Sequence, residues 1–266
     1  MDIDNHQIEE LVKEQVVRQV VDVAKAAGKR ILDIYKRDFC IEQKDDNSPL
    51  TEADLASHRV IVEELSQLTP NIPLLSEESS KIPWKERQKW ETYWLIDPID
   101  GTKEFIKRNG EFTVNIALVH QHRPVLGVVY APALDLLYFA SDEVGAWKQL
   151  GDEQPARIYA AKSLDSSKKI KVVGSRSHQS DEFKEYLTRF DDYELVAMGS
   201  SLKLCLVAEG AADIYPRLGL TSEWDTAAAH AIVLAAGGQC INYENDKELL
   251  YNIKDSLLNP FFVVKG

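Results

Sequence analysis

Apolar residues recur at helical spacing near the start of the chain. They are Val12, Val16, Val20, Ala24, Ala27, Ile31 and Ile34. Residues three or four positions apart share one face of a helix, so this spacing predicts a long amphipathic helix. After a polar loop over 44–51, a second helix is predicted from about 52 to 67, with Asp54 in its first turn.

Strand signals follow the second predicted helix. Leu74-Leu75 predicts a short strand that leads into Ser76-Glu77-Glu78, and the apolar run before Asp97 predicts a buried strand. Alternating and β-branched residues over 112–147 predict neighbouring antiparallel strands. The first half of the chain is therefore expected to form an antiparallel sheet beside helices.

The second half alternates strand and helix signals. Strands are predicted over 170–174, 193–197 and 212–216, and helices over 181–189, 201–208 and 225–236. We therefore expect an α/β fold, an αβαβα sandwich in which the antiparallel sheet faces a smaller mixed sheet. The polar segment 151–167 predicts a boundary between an N-terminal α+β half, 1–150, and a C-terminal α/β half, 151–266, of one unit spanning 1–266.

The segment 94–105, WLIDPIDGTKEF, brings two carboxylates to the end of an apolar run. Pro98 restricts the backbone to a turn, which lets Asp97 and Asp100 converge. The Ile99 carbonyl is left as a third oxygen ligand. Oxygen ligands of this kind suit Mg²⁺, so the segment is a candidate metal site.

A Gly-Thr pair follows the second carboxylate. Gly101 and Thr102 would open a short helix whose amides point at an anion. An ordinary Asp-rich turn that caps a helix explains the same residues about as well. Both interpretations stay open at this point.

Asp54, Glu77 and Asp225 are further acids beside predicted elements. Each has an ordinary explanation, as a first-turn helix acid, a solvated loop residue and a helix N-cap respectively. Gathered around Asp97 and Asp100, they would instead form a cage for two or three Mg²⁺ ions about 3.5–4 Å apart, suited to in-line phosphoryl displacement. Most of these acids lie in the N-terminal half, which is therefore expected to bind the metal.

The charge of the chain limits its partners. Its 266 residues carry 31 basic and 43 acidic side chains, a formal net charge of −12. This balance argues against nucleic-acid polymers and anionic membranes as partners. The scattered cysteines fit a reducing compartment, and no apolar run approaches the ~20 residues of a transmembrane helix. Acidic residues precede any apolar stretch, so no secretory signal is expected.

Motifs spread along the chain resemble those of one known family. They are Ser48-Pro49-Leu50-Thr51-Glu52-Ala53-Asp54, Asp97-Pro98-Ile99-Asp100-Gly101-Thr102 with the upstream Ser76-Glu77-Glu78, and Trp224-Asp225-Thr226-Ala227-Ala228 with Ala235-Ala236-Gly237-Gly238. From Val17 onwards the chain resembles the inositol monophosphatase superfamily. The resemblance implies the sandwich fold of sugar and inositol phosphatases, dependence on Mg²⁺ and inhibition by Li⁺. Ala229 departs from the pattern, since Gly is expected there.

The resemblance also implies which groups hold the metal. Glu77, Asp97 and the Ile99 carbonyl would hold one Mg²⁺. Asp97, Asp100 and Asp225 would hold a second, and a third would lie near Glu77.

The implied catalytic residues are Asp54, Glu77 and Thr102. Water activated by Mg²⁺ would be the nucleophile, and its proton would pass through the Thr102 hydroxyl paired with Asp54. The amides of Gly101 and Thr102 would hold the phosphate.

Several segments match the nucleotidase branch of the superfamily. They are KEFIKR at 103–108, SRSH at 175–178, GSSLK at 199–203 and YPR at 215–217. The likeness implies removal of the 3′-phosphate of adenosine 3′,5′-bisphosphate to give AMP and phosphate, with phosphoadenosine phosphosulfate as a second substrate, in sulfur assimilation. It places the protein in the cytoplasm or on the cytoplasmic face of the inner membrane.

A second phosphate would need its own pocket. Lys203 lies near the start of a predicted helix beside Gly199, Ser200 and Ser201, so amides, a hydroxyl and an ammonium group could meet that phosphate. The predicted substrate-binding set is Glu77, Gly101, Thr102, His178, Gly199, Ser200, Lys203, Arg217 and Asp225.

Other functions stay open. Inositol phosphates are the alternative substrates, fructose bisphosphate is a third choice, and a general small-molecule phosphomonoesterase fits the same site. A nucleotide sensor without turnover and an exonuclease for very short oligonucleotides belong to other classes. The sequence predicts no oligomeric state.

Overall fold

The frame of the molecule is a pair of β-sheets with helices on their faces. In a computed structural model, residues 5–39, 41–43, 49–161, 169–174 and 180–266 are described. The helices in these ranges are α1 Asn5–Leu11, α2 Glu14–Tyr35, α3 Glu52–Leu68, α4 Trp84–Arg87, α5 Thr102–Ile106, α6 Asp181–Leu187, α7 Leu202–Ala208 and α8 Glu223–Ala235. A 3₁₀ turn covers Glu77–Ser79. No helix in the described ranges has the length and apolar character needed to cross a membrane.

The strands follow the chain in close succession. They are β1 Ile41–Gln43, β2 Pro49–Thr51, β3 Leu74–Ser76, β4 Thr92–Asp100, β5 Thr113–His120, β6 Arg123–Ala131, β7 Leu136–Ser141, β8 Gly145–Leu150, β9 Ala156–Arg157, β10 Ile170–Gly174, β11 Tyr193–Ala197, β12 Ile214–Arg217, β13 Gln239–Asn242 and β14 Phe262–Lys265. β1 and β2 form a small antiparallel pair.

The larger sheet has seven strands in the order β3-β4-β5-β6-β7-β8-β9. All its pairs are antiparallel except β3 with β4. The smaller sheet is mixed, with five strands in the order β11-β10-β12-β14-β13. The first sheet extends past residue 150 through β9, and the division of the chain into halves stays a prediction.

Successive residues of β4 face different hydrophobic cores. Trp94 and Ile96 lie in the core shared with α2 and α3, whereas Tyr93 and Leu95 lie in the core shared with α7 and α8. The second sheet lines the far side of that latter core, and its outer face packs against α6. The layers therefore run helix, sheet, helix, sheet, helix, which confirms the predicted αβαβα sandwich.

Helix α2 follows the predicted spacing over most of its length. Its buried residues are Val17, Val20, Val23, Ala24, Ala27, Gly28, Ile31 and Ile34. The helix begins at Glu14, so the prediction that it includes Val12 is wrong. Lys13 has an extended backbone, with φ −68° and ψ 155°, which separates α2 from the unpredicted α1.

Gly127 in β6 lets α8 lie directly on the first sheet. A Cβ atom at this position would lie 2.1 Å from the Ala228 carbonyl oxygen and 2.9 Å from Ala231 Cβ. The neighbouring Ala229 is completely buried in the same core. Because α8 also carries Asp225, this close approach helps to place an acid of the candidate site.

Gly127→Ala should lower the free energy of unfolding by roughly 1–3 kcal/mol, since α8 must move away from β6 to admit the methyl group. Gly219→Ala is a matched control, because a Cβ there has nothing within 4 Å. Urea denaturation followed by circular dichroism measures both variants. Equal stabilities would show that α8 can shift at no cost.

Candidate active site

A β-bulge brings two acids of β4 to the same face. Asp97 pairs with Asn115 and Asp100 with Thr113, so three steps along β4 match two along β5. Residues three apart in a regular strand face opposite sides, and one extra residue reverses that relation. The prediction that Pro98 lies in a turn beyond the strand is wrong, because β4 continues through it to Asp100.

The bulge is held by local hydrogen bonds. The Ile99 amide donates to Asp97 Oδ1 at 3.0 Å, and the Ser57 hydroxyl of α3 donates to the Pro98 carbonyl at 2.9 Å. These hydrogen bonds fix the backbone conformation at Asp97 and connect β4 to α3.

Asp225 reaches these acids from the other half of the chain. Asp97, Asp100 and Asp225 each offer a carboxylate oxygen, and these oxygens all lie within 4.8 Å of one another. Asp225 Oδ2 accepts from the Ser222 amide at 2.9 Å and from the Thr221 hydroxyl at 2.6 Å. The N-cap of α8 is Ser222, so the alternative of Asp225 as N-cap is wrong. Its carboxylate instead completes a capping box.

Glu77 is placed by the one parallel pair of the larger sheet. Ser76 at the end of β3 pairs with Ile96 of β4. Because these two strands run parallel, the next residues, Glu77 and Asp97, lie at the same end of the strand pair. The side chains of Glu77 and Asp97 form a hydrogen bond there. Glu77 therefore borders the cluster.

Burial and repulsion between like charges disfavour the ionised form of the clustered carboxylates. Burial, followed by the charges of Glu77 and Asp100, raises the pKa of Asp97 well above its usual range. Burial and the Asp225 charge raise the pKa of Asp100 to about 7, against the opposing effect of Lys203. Asp97 is buried, whereas Asp100 and Asp225 are partly exposed. Carboxylates this close together must share protons or bind a cation. An all-oxygen donor set fits a hard divalent cation such as Mg²⁺.

Asp54 lies beside Thr102 through a second capping box. The amide and hydroxyl of Thr51 donate to Asp54 Oδ2 at 2.8 Å and 2.6 Å. Thr102 Oγ1 lies 3.4 Å from Asp54 Oδ1 and also 3.4 Å from the Ile99 carbonyl oxygen. The single hydroxyl hydrogen can thus be directed to the carboxylate or to the carbonyl.

Two cations lie near the cluster. Burial raises the pKa of Asp225, and the charges of Arg217 and Lys203 counter that rise. Ser200 Oγ and Arg217 Nε are buried without a hydrogen-bond partner in the described part of the chain. His178, also predicted to bind substrate, lies outside the described residues.

Each of the two predicted phosphate sites contains a glycine at a position that disfavours a side chain. Gly101 has φ +91° and precedes α5, in a conformation that favours glycine. A Cβ on Gly199 would lie 2.8 Å from the Glu111 carbonyl oxygen. The backbone at Gly199 therefore lies close against the loop that follows α5.

Sequence reasoning gave no role to two residues beside the acids. Thr221 donates to Asp225, and the Ser201 amide faces the Asp100 carboxylate. Ser222-x-x-Asp225 has the spacing of a capping box, and this signal could have drawn attention to Thr221 at the start of α8. Ser201 lies in the GSSLK segment, but no spacing rule indicates its position beside Asp100.

Comparison with known proteins agrees with this geometry. The model of the inositol monophosphatase family matches residues 12–260. A 3′(2′),5′-bisphosphate nucleotidase CysQ of Salmonella typhimurium is 50% identical over 252 residues, covering 94% of this chain and 99% of that protein. The protein of the same name from Escherichia coli O6:H1 is 48% identical, with 92% and 98% covered.

A solved structure shows the same architecture. The crystal structure of CysQ from Bacteroides thetaiotaomicron, described as a bacterial member of the inositol monophosphatase family, superposes with a TM-score of 0.83 at 43% identity. The match covers 96% of this chain and 98% of that one. These sequence and structural matches define the class of protein as a phosphatase. The chain belongs to the inositol monophosphatase family, which confirms the family predicted from its motifs.

Asp100→Asn should remove metal binding while preserving the fold. Without a divalent cation, the raised carboxyl pKa values mean that the folded state binds more protons than the unfolded state between about pH 4 and 7. The free energy of unfolding therefore falls as pH rises through that window. Asn carries no charge, so the variant should show a shallower fall and at pH 8 should be as stable as wild type or more stable.

Thermal melts in EDTA and in Mg²⁺ test this prediction. Mg²⁺ should raise the melting temperature of wild type and of Asp152→Asn, a control at an exposed position, but not that of Asp100→Asn. A metal-free melt that drops sharply for Asp100→Asn would contradict the repulsion argument.

Proposed function

We propose that the protein is a Mg²⁺-dependent 3′(2′),5′-bisphosphate nucleotidase that converts adenosine 3′,5′-bisphosphate to AMP and phosphate. The observation that carries this proposal is the pair of cations, Lys203 and Arg217, beside a cluster of closely spaced carboxylates. A divalent cation at the cluster can hold the reacting phosphate, and the two side-chain cations suit a second one. An inositol monophosphate has no second phosphate to use them.

The proposed metal ligands are those expected from the sequence. Glu77, Asp97 and the Ile99 carbonyl would hold one ion, and Asp97, Asp100 and Asp225 a second, with a third near Glu77. Bound Mg²⁺ supplies charge neutralisation at the phosphate and lowers the pKa of the attacking water. Li⁺ would inhibit by taking one of these positions.

Residues of the chain itself would transfer the proton and bind the phosphate oxygens. Thr102 would receive the proton of the attacking water and pass its own hydrogen to Asp54, whose other oxygen is already held by Thr51. The Thr102–Asp54 distance of 3.4 Å is long for a hydrogen bond, and catalytic contacts often shorten when substrate binds. The amides of Gly101 and Thr102 would bind phosphate oxygens.

The substrate pocket is proposed beside this centre. Gly199, Ser200, Lys203 and Arg217 would bind the 5′-phosphate, and the predicted contribution of His178 stays a prediction. Use of phosphoadenosine phosphosulfate, a role in sulfur assimilation and a cytoplasmic location are further expectations from the resemblance.

A direct comparison of substrates tests the proposal. Phosphate release from adenosine 3′,5′-bisphosphate should have a kcat/KM at least about tenfold above that from inositol 1-phosphate, because a charge-assisted contact contributes roughly 1.5–3 kcal/mol. Asp100→Asn serves as the control for contaminating phosphatases. Preference for inositol 1-phosphate would favour the alternative substrate, and nucleotide binding without turnover would favour a sensor.

Lys203→Ala tests the second-phosphate pocket. The variant should lose about ten- to a hundredfold more kcat/KM on adenosine 3′,5′-bisphosphate than on adenosine 3′-phosphate, which lacks the 5′ group. Part of any loss will be common to both substrates, because Lys203 also acts on Asp100. The exposed Lys184→Ala is the charge-matched control. Equal losses on both substrates would assign Lys203 to the catalytic centre alone.

A further inference from the structure

The hydroxyl of Ser201 lies between two side chains of β5. Ser201 Oγ is 2.8 Å from Asn115 Oδ1, to which it donates, and 2.9 Å from Thr113 Oγ1. A hydroxyl has one hydrogen, so donation to Asn115 requires Thr113 to donate to Ser201. All three side chains are buried, with exposed fractions of 1% or less. With the Asn115 amide in this orientation, Thr113 donates to Ser201 and Ser201 donates to Asn115.

The partners of Ser201 are the residues opposite the two acids of β4. Thr113 pairs with Asp100 across the ladder, and Asn115 pairs with Asp97. The Ser201 amide faces the Asp100 carboxylate. Ser201 thus bonds through its side chain to the strand beside the acids, and its backbone lies next to one of the acids.

The loop that carries Ser201 also carries the predicted phosphate ligands. Gly199 and Ser200 precede it, and Lys203 follows it in α7. This loop comes from the second half of the chain, whereas Asp97 and Asp100 belong to the first sheet. Among the contacts described, the Ser201 hydroxyl makes the side-chain hydrogen bonds that join this loop to β5.

We propose that Ser201 is a positioning residue that fixes the 199–203 loop against β5, directs an amide at Asp100 and sets the spacing between the metal ligands and the 5′-phosphate pocket. The part concerning the pocket rests on the proposed function. The part concerning Asp100 does not, because it follows from the geometry around the carboxylate cluster. Ser201→Ala keeps this amide and removes the hydroxyl that holds it in place. Disturbing the groups that orient a metal ligand typically costs about 10–100-fold in metal affinity or activity.

Ser201→Ala tests the proposal with two readouts. Mg²⁺ binding to the substrate-free protein, measured by calorimetry and by the Mg²⁺-induced shift in melting temperature, should weaken at least about tenfold. The kcat/KM on adenosine 3′,5′-bisphosphate should fall by a similar factor. Ser201→Thr, which keeps the hydroxyl, should restore part of both losses.

Ser141→Ala is the matched control for a purely structural role. Ser141 is equally buried and lies in β7, three strands away from β4 in the first sheet. Its hydroxyl donates to the Val12 carbonyl. This variant should lose stability while keeping its Mg²⁺ affinity and kinetics. If Ser201→Ala behaves in the same way, losing stability alone, the proposal is overturned.

Thr113→Val keeps the test decisive if Ser201→Ala does not fold. It removes the donor to Ser201 with little change in shape, and it should weaken Mg²⁺ binding in the same direction. Unchanged Mg²⁺ affinity in Thr113→Val would overturn the proposal. If wild type fails to hydrolyse adenosine 3′,5′-bisphosphate while Ser201→Ala still weakens Mg²⁺ binding, the nucleotidase assignment fails and the positioning of Asp100 stands.

Discussion

Mutual repulsion among closely spaced carboxylates is the constraint that the rest of the structure has to meet. Asp97, Asp100 and Asp225 place oxygens within 4.8 Å of one another, and burial raises the pKa of each. Without a cation this arrangement opposes folding, so the stability must come from elsewhere. The hydrophobic cores between and outside the two sheets supply it. The close approach of α8 to β6 shows how tightly the scaffold around the acids is packed.

Local hydrogen bonds orient the acids independently of any ligand. Asp54 and Asp225 are third residues of their helices, and each accepts backbone and hydroxyl donors on one oxygen. Asp97 accepts the Ile99 amide in the same manner. A side chain held on one oxygen loses little further freedom when its other oxygen binds, which lowers the entropic cost of forming the site.

Local sequence patterns predicted the helices and strands well, but they predicted poorly how these elements contact one another. The periodicity of α2 and the Ala-rich run of α8 are properties of a single segment, so the sequence shows them directly. The bulge between Asp97 and Asp100 depends on register with β5, which no periodicity reveals, and Pro98 therefore suggested a turn. The nearness of Glu77 to Asp97 depends on a parallel pairing within an otherwise antiparallel sheet. Family motifs predicted which acids gather, whereas the link from Ser201 to β5 joins residues that no motif connects.

The position of α8 in the chain has a consequence for biosynthesis. Asp54, Glu77, Asp97 and Asp100 are synthesised well before Asp225, and two strands of the smaller sheet, β13 and β14, follow α8 in the chain. The nascent chain therefore lacks one acid of the cluster through most of its synthesis. The cluster is complete only when α8 has docked between the two sheets.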